Sequence, residues 1–446
     1  MPRVRTIEGS CWACKERRVI CDLTHPTCNK CASSGRSCDY GRVRLKWTDC
    51  IASRGRLAGQ KIPLDRPLMV RRNSDHHLMY FENELLPRFN LSNTIPRFSL
   101  ASLAGDPLVL QSVIAIGAAH SSYRSASSDP ATSLTKSQDR SSAIRIFREN
   151  LSGKQSEEVH NSLFMANVLL CMLDGIIDQQ STQDAATHHH ILGGKAILNQ
   201  WGGAPGILQT KKDLPVLMFS IFATMDLTHA LLMGGQPFVE STSWVDFADA
   251  EPWWGNVKAD NEFLAMMAIL SQLATLGHSV HNLHEVVPIG TLLSIQKSLE
   301  HHATRQSHQE QDPSGLSWAS FCTVYRCTAY VYLYRALSGL DIDHPLVQQA
   351  VTTAMEIVAG TLLTENLHHC LLFPLLTIGS HCMSEKQRQE IRRRLATSAQ
   401  FLSFGSLRNL DDFLQRTWAR IDRDPNYLAV SWWSLFDEIA SATCLF

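Results

Sequence analysis

This 446-residue sequence has no surplus of charge of either sign: 41 Lys and Arg stand against 42 Asp and Glu. Affinity of the whole surface for a polyanion is thereby excluded, and any such affinity has to be local. The sequence also has no uninterrupted apolar run of roughly 18 residues, so no membrane-spanning helix is expected. The nearest, Leu163 to Leu173, is too short and contains Asn167. The start, Met1-Pro-Arg-Val-Arg-Thr-Ile, has charge but no apolar stretch of the kind a secretory signal needs. Catalytic signatures are missing as well. Gly193-Gly194-Lys195 is followed by Ala196 and has no upstream glycine at phosphate-loop distance. His284-Glu285-Val286-Val287 runs into Pro288 where a zinc-protease helix would need its second histidine. No G-x-S-x-G or G-x-G-x-x-G occurs, and no enzyme is expected.

Cysteine is what the chain does have. Of 13, six fall in the first forty residues: Cys11, Cys14, Cys21, Cys28, Cys31 and Cys38. They form two copies of a C-x2-C-x6-C unit joined by a six-residue loop. Thiolates this dense favour zinc over hard cations. Six ligands fit one tetrahedral ion badly, whereas two ions need eight coordination slots, which six sulfurs fill if two of them bridge. A disulfide cluster is the alternative, but it belongs to secreted domains, and nothing else here looks secreted. His25, in the loop with Pro26, is a further conceivable ligand, yet the cysteines already fill the slots. Cys50, Cys171, Cys322, Cys327, Cys370, Cys382 and Cys444 have no such spacing and read as buried free thiols, which require a reducing compartment.

The stretch from Cys11 to Cys38 resembles the Zn2Cys6 binuclear cluster of fungal transcription factors. The resemblance implies two zinc ions, a pseudo-symmetric pair of short helices each opened by a C-x2-C, and bridging by the first and fourth cysteines, here Cys11 and Cys28. It also implies that the C-terminal end of the first helix enters the major groove of double-stranded DNA over a CGG-like triplet. Carried over, Arg17 and Arg18 take the basic positions before the third cysteine, and both are expected to contact DNA. Arg18 is the expected base reader, since a guanidinium bonds guanine O6 and N7 together, and Lys15 and Lys30 are expected on phosphates. Ile20 departs from the family pattern, which usually has a cation there. Charge supports a local polyanion surface: residues 1–46 contain ten Lys or Arg and four Asp or Glu, about +6 against about −7 for the remainder. Arg42, Arg44 and Lys46 alternate with Val43, Leu45 and Trp47, which puts three cations on one side of an extended segment; it is expected to be an arm along DNA phosphates, with an exposed edge strand as the alternative.

Residues 48–75 have no a/d heptads, and Gly55, Gly59, Pro63 and Pro67 would break a coiled coil. Two arrangements stay open: a finger that binds singly, or a homodimer joined through the body. From residue 76 the texture becomes amphipathic, as in His77–Phe89, Pro107–Tyr123 and the run from Trp318. Roughly a dozen helices and no sheet are expected, with residues 121–143 and 300–317 as polar loops. His188-His189-His190 and His368-His369 are expected on the surface. Pro107–His120, Tyr325–Arg335 and Pro374–His381, leading into Arg388–Arg394, resemble the fungal-specific regulatory domain that follows many such clusters.

The expectation is therefore an all-α chain. A Zn2Cys6 DNA-binding domain with a basic tail spans 1–47, a linker 48–75, and a helical regulatory domain 76–446. Its role would be a nuclear transcription regulator of RNA polymerase II genes, with those of a metabolic pathway or biosynthetic cluster as the analogy the family offers and any small-molecule effector unknown. The rival is a zinc-stapled protein-interaction module without DNA specificity. Such modules use eight ligands that commonly include histidine.

Overall fold

The computed structural model describes residues 9–40, 76–91, 106–124, 130–152, 157–178, 186–200, 208, 214–306, 318–361 and 366–445. The chain divides into two compact units, Met1–Val70 and Arg71–Phe446. Each has its own interior: five buried cysteines in the first, a continuous apolar core in the second.

In the first unit, α1 (Trp12–Arg17) and α2 (Asn29–Ala32) each follow a cysteine in extended conformation, Cys11 and Cys28. Helices this short do not stand alone in water. Among the described residues the core of this unit is built from the thiols of Cys11, Cys14, Cys21, Cys28 and Cys31, with Ala13, Val19, Cys38 and Tyr40 packed against it.

The second unit begins with a helical segment, π-wound over Phe81–Leu85 and 3₁₀ over Leu86–Phe89. There follow α3 (Pro107–Arg124), α4 (Pro130–Leu151), α5 (Glu157–Met172), α6 (Ala186–Gln200), α7 (Leu214–Met233), α8 (Glu262–Asn282), α9 (Ile289–Gln306) and α10 (Trp318–Tyr332). The remainder are α11 (Pro345–Gly360), α12 (Asn366–His369), α13 (Leu372–Ser380), α14 (Glu385–Leu402), α15 (Ser406–Arg423) and α16 (Trp432–Ala442). No strand occurs among the described residues.

Local chemistry sets the helix starts. Asn261 caps α8, Pro345 occupies the first turn of α11, and Ser384 and Gln387 form a reciprocal capping box on α14. The centre is α7, buried on every side from Val216 to Leu232, as a helix enclosed by others must be. It packs against α5, α6, α8 and α16.

Three expectations change. The serine-rich stretch 121–143 is mostly helical, because α3 runs to Arg124 and α4 starts at Pro130, and Pro is well placed in a first helical turn. The polar stretch 300–317 is helical as far as Gln306. Finally, Val159–Ile177, Leu214–Met233 and Glu262–Asn282 are long and apolar enough to cross a membrane by length and composition. A scan for uninterrupted runs passes over them. Within the body, 78%, 94% and 56% of their apolar windows is buried.

Candidate metal centre and nucleic-acid interface

The two halves of the first unit repeat at a separation of 17 residues, the interval from Cys11 to Cys28. Folding brings all six thiols together as two overlapping groups of four. Cys11, Cys14, Cys21 and Cys28 form one, and Cys11, Cys28, Cys31 and Cys38 the other, with the Sγ atoms of each within 4.8 Å of one another. Cys11 and Cys28 are common to both. The Sγ–Sγ separations Cys11–Cys28, Cys11–Cys31 and Cys14–Cys28 are 3.7, 3.6 and 3.6 Å. A tetrahedron with metal–sulfur bonds of about 2.3 Å has edges of about 3.8 Å. The donor set therefore fits two zinc ions with a shared pair of sulfurs.

Burial pushes the thiols of Cys11, Cys14 and Cys38 up. It acts the same way on Cys28, where the Cys31 amide and the neighbouring thiols outweigh it and bring the group down to about 6. Six thiolates this close need cations among them to share their charge.

Residues the sequence did not single out complete the centre. Asp22 Oδ1 accepts from the Thr24 hydroxyl at 2.6 Å and from the amides of Thr24 and Asn29, and Oδ2 from the Lys30 amide. The Thr24 hydroxyl leads these donors in holding the exposed carboxyl down to about 2. Asp22 thus supports the start of α2. The Tyr40 hydroxyl lies 3.4 Å from Cys21 Sγ and donates to the Thr24 carbonyl, with the His25 ring against its own at 4.0 Å. His25 is thereby occupied on Tyr40. The Cys-Asp pair repeated at 21–22 and 38–39 was the available signal for Asp22; Tyr40 left none.

The cations part company. Arg18 closes α1 with φ 58°, in the left-handed region, and its side chain is exposed. One repeat further on, the equivalent position is Gly35, at φ 61°. Lys15 lies over the Trp12 ring, 4.9 Å from its centroid, and Lys30 is exposed. Arg17 folds back: its guanidinium reaches the carbonyls of Ala13 and Lys30 and the hydroxyl of Ser34. Ile20 is 53% exposed, an apolar spot where a cation is usual. Arg42, Arg44 and Lys46 lie outside the described residues.

The body offers no rival chemistry in the places the sequence raised. Gly194 lies so close to α7 that a Cβ there would sit 2.4 Å from Phe222 Cε2, and Lys195 Nζ pairs with buried Asp226 at 2.7 Å. The Gly-Gly-Lys run is packing. Cys171, Cys322, Cys327, Cys370, Cys382 and Cys444 are free and buried; Cys50 lies outside the described residues. The histidine runs differ from expectation. Only His189 is exposed, whereas His188 stacks on His229 and His190 Nε2 lies 3.1 Å from Asp174. His369 is buried on Ser398 and Phe401, and the side chain of His368 lies outside the described residues. Adjacent helical positions point differently, so one run serves both surface and core.

Comparison with known proteins agrees with this geometry. Residues 9–47 match the model of the fungal Zn(2)-Cys(6) binuclear cluster domain, a domain that binds two zinc ions and DNA. Residues 76–446 match the fungal specific transcription factor domain. Over 48 residues the chain is 42% identical to arginine metabolism regulation protein II of Saccharomyces cerevisiae, a match covering 11% of this chain and 5% of that protein. No solved structure matches.

Proposed function

We propose, for a chain that belongs to the fungal specific transcription factors with a Zn(2)-Cys(6) cluster, that Arg18 reads CGG-like triplets for this DNA-binding, non-enzymatic transcription regulator. The observation that carries the reading is the backbone of Arg18. A left-handed conformation costs a side-chain-bearing residue about 1–2 kcal/mol, and the sister repeat meets the same turn with Gly35. An arginine kept there, exposed at the end of α1, has a use for its side chain. A guanidinium aimed into the major groove from a helix end spans the two acceptors of guanine.

In this reading Cys11, Cys14, Cys21, Cys28, Cys31 and Cys38 ligate the two zincs, with Cys11 and Cys28 bridging. The ions lock α1 at its angle, and folding of the cluster draws on their binding free energy. Lys15, Lys30 and the arm cations Arg42, Arg44 and Lys46 neutralise phosphates, which supplies affinity without sequence preference. The protein acts in the nucleus, and any dimer forms through the helical body. The yeast relative is named for arginine metabolism; for this chain we carry over a metabolic or biosynthetic gene set and no particular pathway.

The test is binding of the full chain to a CGG-containing duplex and to a scrambled one across a salt series. Arg18→Ala should lose about 1–3 kcal/mol on the CGG site and little on the scrambled one. Equal affinity and unchanged base preference in the variant would refute the docking.

A further inference from the structure

Arg17 is a cation on α1 whose guanidinium is bonded within the cluster. We propose that Arg17 is a strap across the binuclear cluster: it holds the two repeats together and takes up part of the cluster's negative charge, and it is not a DNA contact. This rests on the zinc reading of the six cysteines.

The guanidinium Nη2 lies 3.7 Å from Cys14 Sγ and 3.8 Å from Cys31 Sγ. These two thiols are the second cysteines of the two repeats, and neither is common to both groups of four. Arg17 thus reaches one unshared sulfur of each metal position. Nη2 also donates to the Lys30 carbonyl at 3.1 Å, Nη1 to Ser34 Oγ at 3.0 Å, and Nε to the Ala13 carbonyl at 3.2 Å. Ser34 is the residue that stands one repeat after Arg17, so the bond joins equivalent positions of the two repeats. Ser34 in turn donates to the Lys30 carbonyl at 2.8 Å, which fixes the hydroxyl that receives the strap.

Electrostatics gives the arrangement its purpose. Six thiolates and two divalent cations leave the cluster with two net negative charges. A guanidinium at the unshared sulfurs withdraws electron density from them and offsets part of that charge. Lysine could supply the charge, but a single ammonium has no planar fork to span two sulfurs, a carbonyl and a hydroxyl at once.

The experiment uses the full chain, first confirming two zincs per wild-type molecule; a different stoichiometry would defeat the zinc reading itself and is scored separately. Zinc release into excess chelator is then timed for wild type, Arg17→Gln, Arg17→Lys and Ser34→Ala. Loss of such a supporting partner weakens metal retention by about 10–100-fold; Arg17→Gln should fall in that range, with Arg17→Lys between it and wild type and Ser34→Ala milder still. In the cobalt-substituted protein, the sulfur-to-metal charge-transfer band of Arg17→Gln should move to lower energy, since the sulfurs lose their donors. The salt slope for DNA should stay that of wild type, whereas a lost phosphate contact would lower it by about one unit. Zinc retention and cobalt spectra indistinguishable from wild type, or a salt slope reduced by one, would overturn the strap. If Arg17→Gln fails to load metal at all, Arg17→Lys and Ser34→Ala carry the same comparison.

Discussion

Single residues in the cluster divide the work in a way their chemical type does not announce. Arg17 and Arg18 are neighbours of the same kind, yet one has its donors bound within the cluster and the other is exposed in a left-handed turn. Arg18→Gly separates reading from folding. Glycine relieves a conformation costing about 1–2 kcal/mol, so zinc-loaded stability should hold or rise. Binding to a CGG duplex should nevertheless fall by about 1–3 kcal/mol. Denaturant titration and a DNA-binding isotherm on the same preparation decide this; a variant that loses stability and keeps its base preference contradicts the assignment. The arginines themselves were legible in sequence. Their opposite orientations were not, because they depend on Ser34 and Lys30 arriving from the other repeat. Asp22 is similar: a carboxylate after a cysteine is unremarkable until the chain returns α2 to it.

Among the elements, helix identity was easy to read and helix limits were not. The apolar periodicity of the run from Trp318 survives as the buried face of α10. Serine and proline between 121 and 143 point to a loop, but α4 starts at its proline and its later turns lie against α3, and such packing overrides weak propensity. The contact between α6 and α7 offers the sharpest test. Gly194 meets the Phe222 ring so closely that a methyl group has no room. Gly194→Ala should destabilise the body by about 1–3 kcal/mol through overpacking, although alanine is the better helix former by about 1 kcal/mol. Thermal melts report the sign directly: a more stable variant means the two helices do not approach as described.

Across the whole molecule, each unit has an interior of different chemistry, thiol in one and hydrocarbon in the other. Chelation of zinc should therefore unfold residues 11–38 and leave most helical circular dichroism in place. Simultaneous loss of both signals would contradict two separate interiors. The body has its own dependence on pH. Burial holds His120 and His369 down to about 4, and His229 and His381 down to about 3. His120 accepts from the Tyr80 hydroxyl through Nδ1 and donates to the Leu402 carbonyl through Nε2, an arrangement that suits the neutral ring. Unfolded, each titrates near 6.5. Between those values unfolding takes up protons, so stability is full above about pH 7 and falls as the solution is acidified. The expected slope approaches about 1.4 kcal/mol per pH unit for each histidine. Urea midpoints at pH 7.5 and 5.5 should differ accordingly, and equal midpoints would exclude neutral buried histidines.

Sequence by itself determined the all-α class, the thiol-rich head with its doubled spacing, and the placing of positive charge. These follow from composition and period, which need no third dimension: a C-x2-C-x6-C repeated twice demands metal, and a 3.6-residue apolar period demands helices. Only the tertiary structure decided which side chains meet. The turning of Arg17 onto Cys14 and Cys31, the bonding of Asp22 to the start of α2, and the burial of His369 beside Ser398 all join residues from separate segments. Such pairings are fixed by the closing of the chain on itself, and spacing along the chain does not encode them.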